Sequence, residues 1–218
     1  MQIERLGDPA AHALPGGGPL LLTPTVHGDA RGFFYESWNR RRFAELLEVA
    51  EAAAPDFVQD NHSRSARGVL RGLHFQLPPE PQGKLVRCVL GEIFDVAVDL
   101  RRDSPAFGQW CGARLSDTTH QQLWIPVGFA HGFLTLSAHA EVLYKASGYW
   151  NRSCERSLRW NDPQLAIAWP FEALQSAAAS APDSPPGRKP EAAAEPILAA
   201  KDAAAPGLAE LLAAGEVF

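Results

Sequence analysis

The stretch that decides the fold reads Gly68-Val69-Leu70-Arg71-Gly72-Leu73-His74-Phe75-Gln76. Its valine, leucine and phenylalanine residues favour a buried β-strand, and Gly72 lets the backbone bend or another group approach closely. Three polar side chains, those of Arg71, His74 and Gln76, lie in this apolar setting, where burial without partners is costly. Taken alone, the stretch fits either a core strand with a buried histidine or a strand that lines a polar site.

Outward from this stretch, residues 57–149 read as short strands separated by turns, with no helix between them. Many short strands at regular spacing are typical of an antiparallel sandwich or barrel. We therefore predict an all-β fold of the jelly-roll type. Flanking helices are few: one is predicted over residues 40–53, capped by Asn39, and a short one near residues 208–212.

The chain has 218 residues, enough for one sizeable domain with its own core. We expect a single domain over residues 1–218, with an irregular N-terminus at residues 1–19. Residues 176–200 are dominated by alanine, proline and serine and are expected to form a mobile insert.

The composition limits which binding partners and which cellular compartment we expect. A net charge of −5 argues against a non-specific nucleic-acid binder. No apolar run approaches the roughly 20 residues of a membrane span, and the N-terminus shows no signal-peptide pattern. Three cysteines, Cys88, Cys111 and Cys154, are odd in number and lack metal-like spacing. We expect a cytoplasmic protein that binds neither nucleic acid nor membrane.

Several strands of one barrel can direct polar side chains into the same apolar cup. These side chains belong to Arg71, His74, Lys84, His131, Tyr144 and Lys145. An imidazole base, a phenol acid and nearby cations suit the abstraction of a proton next to a carbonyl, with the cations holding the developing enolate oxygen. A phenol on the opposite face can return the proton there, which inverts a carbon centre.

A metal site is the competing interpretation, because small β-barrels often hold iron or zinc through histidines. That arrangement places two histidines two residues apart, whereas His74 is followed by Phe75 and Gln76. His62 and His74 stay possible ligands, but the sequence shows no tight cluster of ligands. We therefore predict no metal.

An aromatic stretch, Phe33-Phe34-Tyr35-Glu36-Ser37-Trp38, follows a loop rich in turn residues. Alternation puts Phe33 and Tyr35 on one face of a strand, and Phe34 and Glu36 on the other. The stretch fits a strand with aromatic packing. It also fits a binding site for an aromatic, phosphorylated ligand, in which Arg31, Glu36 and a flat ring together contact the ligand.

Nine motifs occur in an order that is specific to one family. They are Arg31-Gly-Phe-Phe-Tyr-Glu36, Phe57-Val-Gln-Asp-Asn-His62, Val69-Leu-Arg-Gly-Leu-His-Phe-Gln76, Gln82-Gly-Lys-Leu-Val-Arg87, Phe94-Asp-Val-Ala-Val-Asp99, Ser104-Pro-Ala-Phe-Gly-Gln-Trp110, Trp124-Ile-Pro126, Gly128-Phe-Ala-His-Gly-Phe133 and Leu143-Tyr-Lys145. These motifs closely resemble the dTDP-4-dehydrorhamnose 3,5-epimerase family. The resemblance runs from about residue 20 to residue 170 and resumes at residue 201.

The resemblance implies a cupin-type jelly roll, a homodimer, and no metal or cofactor. It also implies conversion of dTDP-4-dehydro-6-deoxy-D-glucose to dTDP-4-dehydro-L-rhamnose. By the same resemblance, His74 is the base and Tyr144 the acid. Asp202 orients the histidine, as the acid of a catalytic triad does. Lys84, with Arg71, is expected near the C4 oxygen.

Further positions match the substrate contacts of the family: Arg31, Glu36, Gln59, Asp60, Asn61, His131, Glu155 and Lys201. Phe34 and Tyr149 are expected as aromatic walls for the nucleotide. Family dimers share strands, so Arg31 and Glu36 are expected to serve the site of the partner. Two departures stand out: the insert lengthens the path to Asp202, and a tryptophan, Trp150, follows Tyr149 where a second tyrosine is common.

Three alternatives stay open. A single-centre epimerase of antibiotic-sugar biosynthesis keeps the same acid and base but inverts only C3 or only C5. A metal-dependent cupin enzyme is a second alternative, and a non-catalytic module that binds sugar nucleotides is a third. The last is disfavoured because a binder has no use for the His74 and Tyr144 pair.

Overall fold

The computed structural model describes residues 1–14, 16–176 and 195–218. Its strands are β1 (Gln2–Arg5), β2 (Leu20–Thr23), β3 (His27–Asp29), β4 (Gly32–Phe34), β5 (Gln59–Ala66), β6 (Leu70–Gln76), β7 (Lys84–Leu90), β8 (Glu92–Asp99), β9 (Trp110–Ser116), β10 (Gln122–Ile125), β11 (Phe129–Thr135), β12 (His139–Ala146) and β13 (Glu155–Ser157). Its α-helices are α1 (Pro9–His12), α2 (Arg40–Leu46), α3 (Glu172–Ser176), α4 (Ala200–Ala203) and α5 (Leu208–Ala213), and Glu51–Ala53 forms a 3-10 turn.

Two antiparallel sheets carry the fold. One has the strand order β1-β2-β10-β7-β12-β5, and the other has the order β13-β6-β11-β8-β9. A single cluster of buried side chains joins them: Val86 and Val142 come from the first sheet, and Ile93, Leu115 and Phe133 come from the second. The sheets therefore face each other across a shared core, which confirms the predicted all-β jelly roll.

Side chains alternate between this core and the outer face of the six-stranded sheet. On β12, Val142 is buried between the sheets and Tyr144 packs against the same cluster. Lys145 lies on the opposite face, where its ammonium contacts both carboxylate oxygens of Asp60 at 3.0 Å. The prediction that Lys145 points inward is therefore wrong, because neighbours on a strand cannot share a face.

Arg71 and His74 share a face although they are three residues apart, an arrangement that a regular strand forbids. On β11, Phe133 pairs with Arg71 and His131 pairs with His74, so the register shifts between these two pairs. Residues directly opposite each other in a sheet share a face. The β-bulge at Gly72 therefore turns both Arg71 and His74 toward the space between the sheets.

Gly72 is the residue that allows this bulge. Its φ is +124°, and a Cβ atom placed on it would lie 2.6 Å from the Cα of Gly132. We expect Gly72→Ala to lower the free energy of unfolding by about 3 kcal/mol, because it combines a backbone clash with an unfavourable φ. Urea denaturation measures this loss.

Gly215 provides the matched control, since its φ is +70° and a Cβ atom placed on it would have no neighbouring atom within 4 Å. Gly215→Ala is expected to cost only the backbone term, about 1 kcal/mol. Equal losses of unfolding free energy in the two variants would show that the close approach of Gly72 to Gly132 contributes nothing to the cost of the substitution.

The predicted helix over residues 40–53 is shorter than expected. The Asn39 side chain caps it as predicted, by accepting from the backbone N–H of Arg42. The helix ends at Leu46, and Glu48 takes a φ of +58°, which turns the chain out of the helix. The N-terminus, predicted to be irregular, contains β1 and the four-residue helix α1, which Asp8 caps.

The C-terminal part packs on the outer side of the five-stranded sheet. A second cluster there joins Leu73 and Phe75 of β6 to Leu158, Trp169 and Leu211. Residues 177–194, most of the predicted mobile insert, lie outside the described residues. None of the helices in the described residues is long and apolar enough to cross a bilayer.

Candidate active site

A cavity of about 480 Å³ opens between the two sheets. Eight of the predicted site residues line it: Arg71, His74, Lys84, His131, Tyr144, Glu155, Lys201 and Asp202. They come from both sheets and from the C-terminal segment, so the fold brings together groups that are far apart in sequence.

His74 and Asp202 form a hydrogen-bonded pair on one wall of the cavity. His74 Nε2 lies 2.7 Å from Asp202 Oδ1, and the backbone N–H of Gly72 donates to Asp202 Oδ2 at 3.3 Å. Because an ionised carboxylate only accepts, Nε2 carries the proton in this pair. The other ring nitrogen, Nδ1, is therefore the atom that can accept a proton.

A short parallel pairing between the segment around Ile197 and the start of β6 places Asp202 beside His74, although the long insert precedes it in sequence. The carbonyl of Ile197 accepts from the N–H of Leu70 at 3.0 Å, and the N–H of Ile197 donates to the carbonyl of Gly68 at 2.8 Å. The chain thus runs beside the start of β6 before it enters α4, which carries Asp202.

Burial favours a neutral histidine in this pair, and hydrogen bonds favour an ionised aspartate. Burial lowers the pKa of His74, and the nearby Lys201 and Lys84 add to this effect, whereas Asp202 opposes it. Burial alone would raise the pKa of Asp202, but the hydrogen bonds from His74 and Gly72 hold it below its usual value. A neutral imidazole beside a carboxylate can act as a base.

Tyr144 supplies a phenol from the opposite sheet. His74 belongs to β6 of the five-stranded sheet, and Tyr144 belongs to β12 of the six-stranded sheet. Burial raises the pKa of Tyr144, although Arg71 lowers it in part. The phenol therefore keeps its proton at neutral pH and faces the cavity as an acid.

Lys84 places a buried cation between these walls. Its ammonium donates to the backbone carbonyl of His74 at 3.2 Å. Burial lowers the pKa of Lys84 to about 8, against the opposing effect of Asp95 and Glu155. The side chain is thus mostly charged at neutral pH and can stabilise an anionic oxygen in the cavity.

A second imidazole and carboxylate lie beside the first pair. His131 faces His74 across the β11–β6 pairing, and His131 Nε2 lies 2.6 Å from Asp95 Oδ1. Asp95 is fully buried, and the motifs of the sequence did not single it out as a site residue. An acidic residue inside an otherwise apolar strand is the signal that could have identified it.

The rim of the cavity carries a chain of polar contacts. Lys201 donates to Glu155 at 3.0 Å, and although burial raises the pKa of Glu155, Lys201 and Trp150 bring it below its usual value. The backbone N–H of Trp150 donates to Gln59 Oε1 at 2.9 Å, and Gln59 donates to Asn61. The structure thus gives Gln59 and Asn61 a role in holding Trp150, which itself lines the cavity.

Two predicted binding residues lie away from the cavity of their own chain. Asp60 lies between Gln59 and Asn61 but faces the outer side of the sheet, where it contacts Lys145. Asp60 therefore does not line this cavity, because neighbours on a strand face opposite sides of the sheet. Tyr149 is 63% exposed and does not line the cavity.

Three more predicted binding residues belong to an exposed hairpin and its exit. The exposed hairpin consists of β3, β4 and the turn between them, residues 27–34. Arg31 contacts Asp29 within it, and Phe34 is 72% exposed. Glu36 follows the hairpin and contacts Arg42. None of the three lines the cavity of the same chain.

Among the residues that the structure describes, no group of three or more histidine, cysteine, aspartate or glutamate side chains is arranged to hold a metal ion. The three cysteines are free, and burial raises the pKa of Cys88 and Cys111 to about 12. The imidazole, phenol and ammonium groups that line the cavity suit proton transfer.

Comparison with known proteins gives consistent matches over almost the whole chain. A family model described as dTDP-4-dehydrorhamnose 3,5-epimerase matches residues 14–210. The dTDP-4-dehydrorhamnose 3,5-epimerase of Salmonella typhimurium is 52% identical over 193 residues, which are 88% of this chain and 92% of the relative.

The solved structures that share the fold include two with a bound dTDP-sugar. The dTDP-6-deoxy-D-glucose-3,5-epimerase of Legionella pneumophila, in complex with dTDP-4-keto-L-rhamnose, has a TM-score of 0.78 and 41% identity, over 99% of this chain and 97% of that one. A 3'-monoepimerase from Streptomyces bikiniensis, in complex with dTDP-quinovose, has a TM-score of 0.76 and 29% identity, over 94% of this chain and 90% of that one.

Proposed function

The chain belongs to the dTDP-4-dehydrorhamnose 3,5-epimerase family, and we propose a division of catalytic roles among its residues. It is an isomerase that acts on a dTDP-sugar, converting dTDP-4-dehydro-6-deoxy-D-glucose to dTDP-4-dehydro-L-rhamnose. The observation that carries the proposed roles is the His74–Asp202 pair facing Tyr144 across one cavity.

The 4-ketone of the substrate makes the hydrogens on C3 and C5 acidic. His74 Nδ1 takes a proton from one of these carbons, and the electrons of that C–H bond move to form an enolate. Lys84 stabilises the enolate oxygen, a contribution of about 3 kcal/mol for a well-placed donor. Asp202 holds the imidazole and stabilises the imidazolium that forms.

Inversion follows from the two facing sheets. Tyr144 gives its proton to the same carbon from the opposite side, while the ketone reforms. One proton is removed and one is returned, so the product is an isomer and no redox partner is needed. We propose that the reaction requires no metal or cofactor, and full activity after dialysis against EDTA tests this point.

Turnover in D₂O tests whether both carbons are inverted. We expect NMR to show deuterium at C3 and at C5 of the product, because each inversion exchanges a carbon-bound proton with solvent. Deuterium at one carbon alone would assign the enzyme to the single-centre epimerases.

We propose further that the enzyme is a cytoplasmic, single-domain protein that works as a homodimer. The exposed hairpin supports the dimer, because it carries Arg31 and Phe34, two residues that match substrate contacts of the family. Neither side chain lines the cavity of its own chain. In a dimer, each hairpin would complete the site of the partner copy.

Mixed dimers test this sharing of sites. Arg31→Ala/Phe34→Ala impairs the hairpin, and His74→Ala impairs the base. A dimer with one chain of each kind contains one intact site, so refolding an equal mixture is expected to restore about a quarter of wild-type activity. Activity no greater than the sum of the separate variants would place the hairpin and the base in the same subunit's site.

The pH dependence of kcat/KM follows from the two shifted groups in the free enzyme. His74 is active when neutral, and burial lowers its pKa below the ordinary value of 6.5, so the acidic limb lies below that pH. Lys84 is active when charged, which predicts a basic limb at about 8. In Lys84→Arg the basic limb is expected to disappear, because a guanidinium keeps its charge. An unchanged basic limb in that variant would assign it to another group.

A further inference from the structure

The exposed hairpin has little to hold it in place. Within the part of the chain that the structure describes, its strands pair only with each other, and every residue of β3 and β4 is exposed. The Arg31 side chain is fixed within the hairpin, since it contacts Asp29 in the same turn. An isolated two-stranded ribbon is only marginally stable in water. The orientation of the hairpin must therefore come from contacts made outside its own backbone.

One such contact is made by the imidazole of His120, which lies in the turn between β9 and β10. Its ring centroid is 4.6 Å from that of Phe33 and 4.9 Å from that of Tyr35. The rings of Phe33 and Tyr35 are themselves 5.9 Å apart and stacked. A cluster of three rings thus joins the exit strand of the hairpin to a distant turn of the barrel.

The turn that carries His120 is firmly attached to the barrel. The backbone N–H of His120 donates to the carbonyl of Ser116 at 3.1 Å. The carboxylate of Asp117 accepts from the N–H of Gly91 at 2.7 Å, which ties the turn to a second loop. His120 is therefore a fixed support, and the hairpin is the element that it positions.

The cluster uses one face of β4 and leaves the other free. Phe33 and Tyr35 lie on the face that contacts His120, and alternation puts Phe34 on the opposite face, where it is 72% exposed. The attachment of the hairpin and the presentation of Phe34 are thus coupled through the backbone of β4.

We propose that His120 is a positioning residue for substrate binding: its imidazole holds the exposed hairpin in the orientation that presents Phe34 and Arg31 to the nucleotide part of the substrate. This role rests on the proposed function of the hairpin in a partner's site. His120 itself touches no reacting atom, so its loss weakens binding and leaves the proton transfers unchanged.

His120→Asn is the sharpest variant, because the φ of His120 is +54° and asparagine tolerates that conformation well. The variant keeps the turn and removes the ring. We expect KM to rise about tenfold, the loss of two ring contacts, with kcat nearly unchanged. His120→Phe restores a ring and is expected to return KM part of the way to the wild-type value, because phenylalanine fits the ring cluster but tolerates a φ of +54° less well than asparagine does. His139→Asn, the same change at an exposed histidine that begins β12, serves as the matched control and leaves KM unchanged.

Tryptic cleavage after Arg31 gives a second readout that does not depend on turnover. Cleavage in the ligand-free enzyme is expected to be faster in His120→Asn than in the wild type or in His139→Asn. Phe34→Ala separates this inference from the function on which it rests. If Phe34→Ala raises KM and His120→Asn does not, His120 does not position the hairpin. If neither variant changes KM, the hairpin has no part in substrate binding.

Discussion

Replacing His74 with alanine is expected to lower kcat by about 10⁴-fold, the upper range for removal of a general base. Among the residues that line the cavity, His74 combines a neutral imidazole with a carboxylate that fixes its orientation. Without the ring, the acidic hydrogens of the substrate lose the base that Asp202 orients. Deuterium exchange at C3 and C5 in D₂O is therefore expected to fall together with product formation.

His62→Ala is the control for this variant. His62 lies on the outer side of β5, where it contacts Glu141 and is more than half exposed. The control is expected to keep wild-type activity, and both variants are expected to bind dTDP normally. Added imidazole provides a further check, since it can occupy the space left by the ring and restore part of the activity of His74→Ala. Rapid exchange by His74→Ala without imidazole would move the role of base to His131.

Some side chains that line the cavity could be predicted from strand alternation in the sequence, and others could not. Tyr144 follows from strand alternation once Val142 is placed in the core. Arg71 and His74 do not, because alternation separates residues three apart, and only the bulge at Gly72 brings them together. That bulge depends on the close approach of β11, which no local pattern reveals.

Two carboxylates illustrate the limits of local patterns. Asp202 lies 128 residues from His74, and only the resemblance to a family predicts their pairing. Asp95 and His131 belong to two separate motifs, and nothing in either motif indicates that the two side chains pair. In both cases the pairing arises from strand and segment placement across the fold. Burial of a charge among apolar residues signals a partner but does not identify it.

The hairpin residues show a different limit. Alternation correctly separates Phe33 and Tyr35 from Phe34 and Glu36, and the structure gives the first two rings a shared partner in His120. Motif matching places Arg31 and Phe34 in a binding site, yet neither lines the cavity of its own chain. The pattern of one sequence does not say which copy of the proposed dimer supplies each residue, and only the resemblance to a family places Arg31 in the site of the partner.

Replacing Tyr144 with phenylalanine is expected to separate proton removal from proton return. His74 remains, so the substrate still forms the enolate and exchanges its hydrogens with solvent. The phenol that returns a proton from the opposite sheet is gone, so epimerised product is expected to form about 10³-fold more slowly. The ring is retained, and the volume of the cavity and the affinity for dTDP are expected to stay near the wild-type values.

The decisive measurement is NMR of the sugar recovered after incubation of Tyr144→Phe in D₂O. Deuterium is expected in substrate of unchanged configuration, because the imidazolium of His74 can only return a deuteron to the face from which it took the proton. Epimerisation at the wild-type rate would show that another acid, or water, reaches the opposite face of the ring. Loss of both exchange and epimerisation would instead make Tyr144 necessary for proton removal. The facing sheets predict the first outcome, since they give removal and return to different side chains on different walls.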